Sequence, residues 1–348
     1  VTRFLSKPHP DGLRYRNLVN AALYLLNKRV IGSIPAGVKS DFGKDIFPQA
    51  VKDHRIFGYS TPEYLKDMGT PERIASVGKA VRSGKVARRN LRAKQKALFL
   101  DRDGVLNYDT DLIHRADDFQ LYPYTAESLK KINASDYLSV VTTNQSVIAR
   151  NLTDLAGLRD IHNKMETELG EKGAFVDAIY FCPHHPDKGY PGENPAFKME
   201  CECRKPKPGM LLQAADRFNI ALNRSWMIGD SERDVRAAKA ACVRSVGVKT
   251  GHGLKNTAVE PDFFFSDLKE AVDFILHNPM EDMVRQIIER LDGEEDAPKI
   301  VLIGGNSRSG KTHLTRMLEF ELEEEERSHF TIQLDDWILP KEKRPAYS

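Results

Sequence analysis

The stretch KALFLDRDGVLN, residues 96–107, joins an apolar run to two aspartates that follow it directly. A short continuous apolar run, such as residues 97–100, is typical of a strand that is buried on both faces. Asp101 and Asp103 come where this strand ends, and open parallel sheets bind ligands beyond the carboxyl ends of their strands. Carboxylates separated by one residue on an extended backbone point the same way and concentrate negative charge. Mg²⁺ would relieve that repulsion through oxygen ligands, although a polar turn explains this stretch alone equally well.

Strand-like and helical stretches alternate on the C-terminal side of this segment. Besides the run at 97–100, strands are predicted at residues 138–142, 175–181, 226–228 and 245–248, and helices at 153–169 and 209–218. This alternation predicts an α/β fold in which a parallel sheet carries helices on both faces. We assign residues 97–277 to one domain of this kind.

Polar residues follow other predicted strands of the domain or precede its helices. They are Thr143, Asn144, Gln145, Ser146, Lys205, Asp230 and Asp234. Because the carboxyl ends of parallel strands meet at one edge of the sheet, we expect these side chains to lie near Asp101 and Asp103. Carboxylates, a hydroxyl and an amine in one place suit phosphoryl transfer, in which a metal ion and cations balance the charge of the phosphate.

Over about half its length the chain resembles the haloacid dehalogenase (HAD) phosphatases. The strings that resemble the four family motifs are Asp101-x-Asp103, Thr143, Lys205 and Gly229-Asp230-x-x-x-Asp234. The resemblance is closer to the capless subgroup of D-glycero-D-manno-heptose 1,7-bisphosphate 7-phosphatases and histidinol phosphatases, which shares DRDGV-N, TNQS-IAR and CRKPKPGM. It implies a Rossmann-like phosphatase domain.

The resemblance also implies a two-step reaction that requires Mg²⁺. Asp101 would attack phosphorus in line, and water would then hydrolyse the aspartyl-phosphate. Asp103 would protonate the leaving sugar oxygen and later deprotonate the water. Mg²⁺ would be held by Asp101, the backbone carbonyl of Asp103, and Asp230. Thr143 and Lys205 would neutralise the phosphoryl oxygens.

Other residues around this centre are predicted to orient it or to bind the substrate. Asp234 is expected to orient the network rather than to bind the metal. Arg204 offers a bidentate contact that a second phosphate could use. The predicted substrate-binding residues are Asn144, Gln145, Ser146, Arg204, Asp109 and Asp111. Since Asp109 and Asp111 would also suit the cationic groups of histidinol phosphate, that substrate is an alternative.

Three of the four cysteines lie within 22 residues. Cys182-x-His184 and Cys201-x-Cys203 form a Cys₃His set, the closed arrangement of structural Zn²⁺, whereas His185 is not expected to be a ligand. Reduced cysteines in a surface loop are the alternative, but free cysteines prefer burial. Zinc would fold a proline-rich loop that shapes the substrate mouth. The grouping does not indicate a disulfide framework, so we predict a reducing, cytoplasmic location.

Residues 1–78 resemble the C-terminal half of sugar-1-phosphate nucleotidyltransferases, most closely the guanylyltransferases for mannose or heptose 1-phosphate. The resemblance rests on NLVNAALYLLNKRVIGSIP, DFGKDIFPQAV and IFGYSTPEYLKDMGTPERI. Asn20 matches a substrate position and Asp67 a metal position of that family. Its glycine-rich nucleotide loop is missing, so this block is not expected to catalyse alone.

Residues 79–96, with eight basic residues and no acidic one, are predicted to form a solvated linker helix, with a nucleic-acid contact as the alternative.

Residues 298–348 begin a second α/β pattern with a predicted strand at 299–305. GGNSRSGKT fits the G-x-x-x-x-G-K-T loop that binds the phosphates of ATP or GTP, unless it is only a glycine-rich turn. The nucleotide-binding residues would be Gly305, Gly310, Lys311 and Thr312. The stretch after it resembles uridine-kinase-like enzymes, in which Asp335 or Asp336 would act as base or metal partner.

The whole sequence is ordinary for a globular protein, with 41% hydrophobic residues, 29% charged residues and a net charge of +2. No apolar run is long enough to span a membrane. We expect the 348 residues to be part of a longer polypeptide, with a sugar phosphate and a nucleotide as ligands and neither membrane nor nucleic acid as partner. The predicted function is that of a Mg²⁺-dependent heptose 1,7-bisphosphate 7-phosphatase in a multifunctional enzyme. Alternatives are a histidinol-phosphate phosphatase, a nucleic-acid end-processing phosphatase and kinase, and a non-catalytic scaffold.

Overall fold

The computed structural model describes residues 5, 10, 12–32, 34–53, 56–189, 191–255, 257–277, 279–292, 300–304, 310–325 and 327–332. The chain forms two compact units, Val1–His277 and Asn278–Ser348. Within the described ranges, no helix combines the length and the apolar character that crossing a membrane requires.

The described part of the first unit contains a six-stranded parallel sheet. Its strands are β1 (Lys96–Leu100), β2 (Tyr137–Asn144), β3 (Ala178–Cys182), β4 (Trp226–Gly229), β5 (Arg244–Val248) and β6 (Phe263–Phe265). Their spatial order is β3-β2-β1-β4-β5-β6, with every neighbouring pair parallel. The chain runs outward from β1 in one direction and then from β4 in the other. The sheet therefore has a switch point between β1 and β4, where ligands of such sheets bind.

Helices connect and cover these strands. In the first unit they are α1 (Lys28–Ile31), α2 (Phe47–Asp53), α3 (Pro71–Arg82), α4 (Lys85–Arg88), α5 (Thr125–Ala134), α6 (Leu155–Glu171), α7 (Gly209–Phe218), α8 (Glu232–Ala240) and α9 (Leu268–His277), with a π-helical turn at Phe42–Ile46. The second unit contains α10 (Pro279–Asp292) and α11 (Lys311–Glu324). The predicted helices at 153–169 and 209–218 correspond to α6 and α7.

The core of the first unit surrounds β1. Residues 97–100 are fully buried, so both faces of this strand are covered, as the continuous apolar run predicts. On one face, Ala97 and Phe99 pack in one cluster with residues of α7 and α8, among them Leu211 and Ala237. The predicted α/β parallel-sheet fold is confirmed. Its consequence is that Asp101 extends from a strand that is buried on both faces.

Two predicted strands differ from the structure. β3 begins at Ala178 instead of residue 175, because the backbone of Phe175 bonds a side chain instead of a strand backbone: its amide donates to the Asn133 side chain and its carbonyl accepts from the Asn133 side-chain amide, each at 3.0 Å. Residues 300–304 form no strand, although 299–305 was predicted as one. No other described segment pairs with them, and a strand is stable only when its backbone groups find hydrogen-bond partners.

The prediction of one solvated linker helix over 79–96 is wrong. The helix starts earlier, at Pro71, where the Thr70 hydroxyl caps it, and it ends at Arg82 before Gly84 takes a φ of 74°. Arg89 and Gln95 are buried. The Gln95 amide donates to the Asn219 carbonyl at 2.9 Å, which docks this segment onto the sheet domain.

The segment 14–17 also contacts the sheet domain. Arg14 pairs with Asp117 and Asp160, each at 2.6 Å. The Tyr15 amide donates to the Thr167 hydroxyl on α6 at 3.0 Å, and Arg16 lies 3.6 Å from the buried Glu166. This part of the N-terminal block is therefore held against α6.

Candidate active site

Asp101 lies at the switch point of the sheet. It follows β1, and its amide donates to the Ile228 carbonyl of β4 at 3.0 Å. Gly104, with a φ of 79°, turns the chain back toward the site. A Cβ at this position would lie 2.2 Å from Oδ2 of Asp230, so only glycine lets the two loops approach this closely.

A cluster of three carboxylates forms at this point. Asp101, Asp230 and Asp234 each offer an oxygen, and these oxygens lie within 4.8 Å of one another. Burial raises the pKa of Asp101 to about 8 and that of Asp230 to about 7, and repulsion between the carboxylates adds to both. A divalent cation would remove this repulsion, because it binds carboxylate oxygens and supplies the opposite charge.

Lys205 is the cation of this cluster. Its side chain is only 2% exposed, and its Nζ lies 3.0 Å from Oδ2 of Asp101 and 2.6 Å from Oδ1 of Asp234. Nζ also donates to the Thr142 carbonyl at 2.8 Å. The side chain of Asn144 holds the Lys205 backbone, accepting from its amide at 3.1 Å and donating to its carbonyl at 3.0 Å. Asn144, predicted as a substrate-binding residue, thus positions the lysine.

Asp103 belongs to a separate network of donors. Its carboxylate accepts from Arg102 at 2.9–3.0 Å, and from the amides of Asn107 and Gln145 at 2.9 Å each. Burial would raise the pKa of Asp103, but the Arg102 guanidinium and these hydrogen bonds outweigh it and lower the pKa. Gln145 also donates to the hydroxyl of Thr143 at 2.8 Å. The predicted residues Asp103, Gln145 and Thr143 therefore form one connected group.

The remaining predicted substrate-binding residues lie at the mouth of the site or near it. Oδ2 of Asp109 is 3.4 Å from Nε2 of His252, and both residues lie beside Asp230. Asp111 is exposed, with a φ of 62°, and its amide donates to Asp109. Ser146 is partly exposed at the end of β2. Acidic groups therefore line one side of the mouth.

The predicted zinc ligands Cys182, His184, Cys201 and Cys203 converge. The sulfur of Cys201 is 3.5 Å from that of Cys182 and 3.4 Å from that of Cys203. Nδ1 of His184 is 3.7 Å from the sulfur of Cys182 and 3.4 Å from the sulfur of Cys203. Tetrahedral zinc, with bonds of about 2.3 Å to sulfur, separates its sulfur ligands by roughly 3.8 Å, so the set has the dimensions of a zinc site.

Arg204 follows this cluster directly. It is partly buried, and its guanidinium donates to the His184 carbonyl at 3.1 Å. His185 lies outside the cluster, with its amide bonded to the Phe197 carbonyl at 3.1 Å. The loop from Cys182 to Cys203 therefore supports both Arg204 and Lys205.

Comparison with known proteins identifies the family of this domain. A family model for HAD-like hydrolases matches residues 202–271. The D-glycero-beta-D-manno-heptose-1,7-bisphosphate 7-phosphatase of Pasteurella multocida is 44% identical over 159 residues, which cover 45% of this chain and 83% of that protein. The chain belongs to the HAD-like phosphatases. It is accordingly a phosphoric monoester hydrolase, and the phosphatase part of the predicted function is confirmed.

Further comparisons match the same half of this HAD-like phosphatase. The enzyme of that name from Pseudomonas aeruginosa is 37% identical over 183 residues, covering 51% of this chain and 97% of the relative. The solved D,D-heptose 1,7-bisphosphate phosphatase from B. bronchiseptica, complexed with magnesium and phosphate, is 36% identical, with a TM-score of 0.47 and coverage of 53% of this chain and 99% of that one.

The described residues that were predicted outside the phosphatase domain have local contacts of their own. Asn20 is exposed and donates to the Tyr24 hydroxyl at 2.7 Å, and Asp67 pairs with Arg73. Gly310 precedes α11 with a φ of 84°, and that helix opens with Lys311 and Thr312. Gly305, Asp335 and Asp336 lie outside the described residues.

Sequence reasoning missed three residues of the phosphatase site. Arg102, fully buried, holds Asp103, and Asn107 donates to the same carboxylate. His252 donates its backbone amide to Oδ2 of Asp230 at 2.7 Å. Arg102 and Asn107 lie within residues 96–107. A buried carboxylate needs hydrogen-bond donors, and that need could have pointed to these two residues. His252 carries no local signal, because it comes from the loop after β5.

Proposed function

We propose that this phosphatase removes the 7-phosphate of D-glycero-D-manno-heptose 1,7-bisphosphate through an aspartyl-phosphate. The observation that carries the reaction is the contact of 3.0 Å between Lys205 and Asp101 inside a buried carboxylate cluster. A carboxylate at a switch point, beside a buried cation, suits nucleophilic attack on phosphorus. The choice of sugar is supported by relatives of that name, which match over most of their length.

Mg²⁺ is proposed as the cofactor, held by Asp101, the backbone carbonyl of Asp103, and Asp230. When bound, it would neutralise charge on the transferring phosphoryl group. The support is chemical: the carboxylates of Asp101 and Asp230 lie within 4.8 Å of each other and of Asp234. Asp234 already accepts from Ser231, through the amide at 3.1 Å and the hydroxyl at 2.6 Å, besides its contact with Lys205. We therefore infer that Asp234 orients Lys205.

The protein's own groups would carry the proton transfers and the charge. Asp101 attacks phosphorus, while Lys205 and Thr143 face the phosphoryl oxygens and stabilise the charge that develops there. Asp103 gives a proton to the sugar oxygen and later takes one from water. Its lowered pKa keeps the carboxylate ionised, which is the form that accepts a proton from water. A bound phosphate would raise that pKa, because like charge disfavours the carboxylate, and this favours the first role.

Zn²⁺ is proposed as a structural ion at Cys182, His184, Cys201 and Cys203. The ligand atoms lie within 4.8 Å of one another, and the protein fills all four positions. A closed site of this kind contributes folding energy rather than catalysis. Zinc would therefore fix the loop that carries Arg204 and Lys205 to the site.

Histidinol phosphate remains a second candidate because of one observation. Asp109 at the mouth is mostly buried and lies 3.4 Å from the His252 ring, so an acidic group is available for a cationic substrate.

The flanking blocks are proposed to belong to a nucleotidyltransferase and a P-loop kinase that binds ATP or GTP. The left-handed Gly310 at the start of α11 supports the second of these.

A phosphate-release assay with Mg²⁺ tests the proposal. The compounds are heptose 1,7-bisphosphate, histidinol phosphate and a 3′-phosphorylated oligonucleotide. We expect the highest kcat/KM for the bisphosphate, with heptose 1-phosphate as the product. A higher kcat/KM for histidinol phosphate or for the oligonucleotide would replace the proposed substrate without affecting the assignment as a phosphatase.

A further inference from the structure

A cleft of about 450 Å³ lies beside the carboxylate cluster. Its lining includes Ser231, which follows Asp230, and His252, whose amide donates to Oδ2 of Asp230 at 2.7 Å. The cleft therefore shares a wall with the point where phosphate is removed. A substrate whose reacting phosphate sits at Asp101 can extend its other end into this space.

The cleft carries two basic side chains, Arg233 and Lys255, both exposed. Its acidic member, Glu232, is already paired with Arg236 at 2.6 Å and accepts from the Ala258 amide at 3.4 Å. Within the described part of the chain, no carboxylate lies within ion-pair distance of Arg233 or Lys255. The cleft therefore presents two exposed positive charges next to an acidic cluster.

Arg233 is also linked through the site to Arg204, which follows Cys203 directly. Arg233 is next in sequence to Asp234, which contacts Lys205, the neighbour of Arg204. Arg233 and Lys255 line the same cleft, and like charges there repel each other, a cost that a bound anion would remove.

We propose that Arg233 and Lys255 bind the phosphate that the enzyme does not remove. This rests on the proposed function, because it requires a substrate with a second phosphate. Phosphate oxygens match the paired donors of a guanidinium, and the ammonium group adds charge with little demand on direction. The cleft would then select bisphosphates over monophosphates, and Arg204, predicted to offer a contact to the second phosphate, would share it with Arg233.

The test compares two substrates of the same sugar, heptose 1,7-bisphosphate and heptose 7-phosphate. The measured quantity is the ratio of their kcat/KM values. We expect the ratio to fall roughly 10- to 100-fold in Arg233→Gln/Lys255→Gln, because charge-assisted hydrogen bonds to phosphate are lost. Lys239→Gln is the control: Lys239 lies on the same helix, and its Nζ bonds the Glu260 carbonyl at 2.8 Å. This control should keep the wild-type ratio.

The outcomes separate this inference from the proposed substrate. An unchanged ratio in the double variant, or no preference for the bisphosphate in the wild type, overturns the role of the cleft. If the wild type hydrolyses neither heptose compound, the proposed substrate is wrong, and the same ratio is measured with fructose 1,6-bisphosphate and fructose 6-phosphate. Each single variant is also measured, with thermal unfolding, so that a folding defect in the double variant cannot decide the result.

Discussion

The Nζ of Lys205 lies between two carboxylates, 3.0 Å from Oδ2 of Asp101 and 2.6 Å from Oδ1 of Asp234. All three side chains are buried or nearly so, and this arrangement is held from behind by the Asn144 amide. Asp234 therefore fixes the lysine where it can balance charge at the proposed nucleophile. A buried cation with two fixed carboxylate partners has few alternative positions, which is the pre-organisation that phosphoryl transfer requires.

Asp101→Asn should abolish turnover, with a loss of roughly 10³-fold or more in kcat. Asparagine keeps the shape but removes the nucleophile and one charge on the proposed metal. Because burial raises the pKa of Asp101 to about 8, the neutral asparagine should not lower the free energy of unfolding in the absence of Mg²⁺. Substantial turnover in a metal-replete assay would contradict the covalent mechanism, and thermal unfolding checks the fold.

Asp234→Asn should lower kcat by roughly 10- to 100-fold, because Lys205 loses the partner that positions it. The asparagine oxygen can still accept from Ser231, so the start of α8 should stay intact. Asp216→Asn, an exposed change on α7, is the control. Steady-state kinetics that do not distinguish the two variants would show that Asp234 does not orient the site.

Purified protein should contain about one tightly bound zinc per chain, and Cys203→Ser should reduce both the zinc content and the melting temperature. Cys242→Ser is the matched control, because Cys242 is exposed and outside the cluster. Elemental analysis of freshly purified, unchelated protein makes the measurement. Protein without zinc would show that the four residues serve another purpose.

Protonation of His162 should make the protein less stable at acidic pH. Burial lowers the pKa of this histidine to about 3 from 6.5, and the nearby charges of Arg102 and Arg16 lower it while Asp103 raises it. The unfolded chain therefore binds a proton that the folded state excludes between pH 6.5 and about 3. The free energy of unfolding should fall with decreasing pH across this window, by at most about 1.4 kcal/mol per unit from this group.

Denaturant unfolding at several pH values checks this effect. His162→Gln should reduce the slope below pH 6.5, whereas His114→Gln, outside this buried site, should not. Parallel slopes for wild type and His162→Gln would show that other groups cause the acid sensitivity.

Arg89→Ala should destabilise the protein by about 3 kcal/mol, because it leaves Asp177 buried without its cation. The two side chains are only 7% and 4% exposed, and their closest charged atoms are 3.5 Å apart. Arg88→Ala is the matched control: its pair with Asp136 is about half exposed, so the loss should stay below roughly 1 kcal/mol. Equal losses of unfolding free energy in the two variants would show that the Arg89–Asp177 pair stabilises the protein no more than an exposed ion pair does.

The sequence pattern predicted β1 to β5 and the order of the polar strand ends, whereas β6 (Phe263–Phe265) was not predicted. The run at 97–100 is continuous and apolar, and this pattern arises only where both faces are covered, so a buried parallel strand followed. Side-chain period and local spacing then placed Asp101, Thr143 and Asp230 at the carboxyl ends of strands, where they lie in the structure. These features depend on residues that are close together in the sequence, so a sequence pattern can predict them.

Which distant groups meet depends on how the chain folds. Arg102 bonds Gln145, which is 43 residues away in the sequence. Arg89, in a segment predicted to be a solvated linker, pairs with Asp177. The same holds for His252, which reaches Asp230 from the loop after β5. Such contacts depend on strand order and loop paths, and a side chain's charge alone does not tell whether it faces water or a buried partner. The free energy of burying a charge is what selects the partner, and burial is a property of the folded chain.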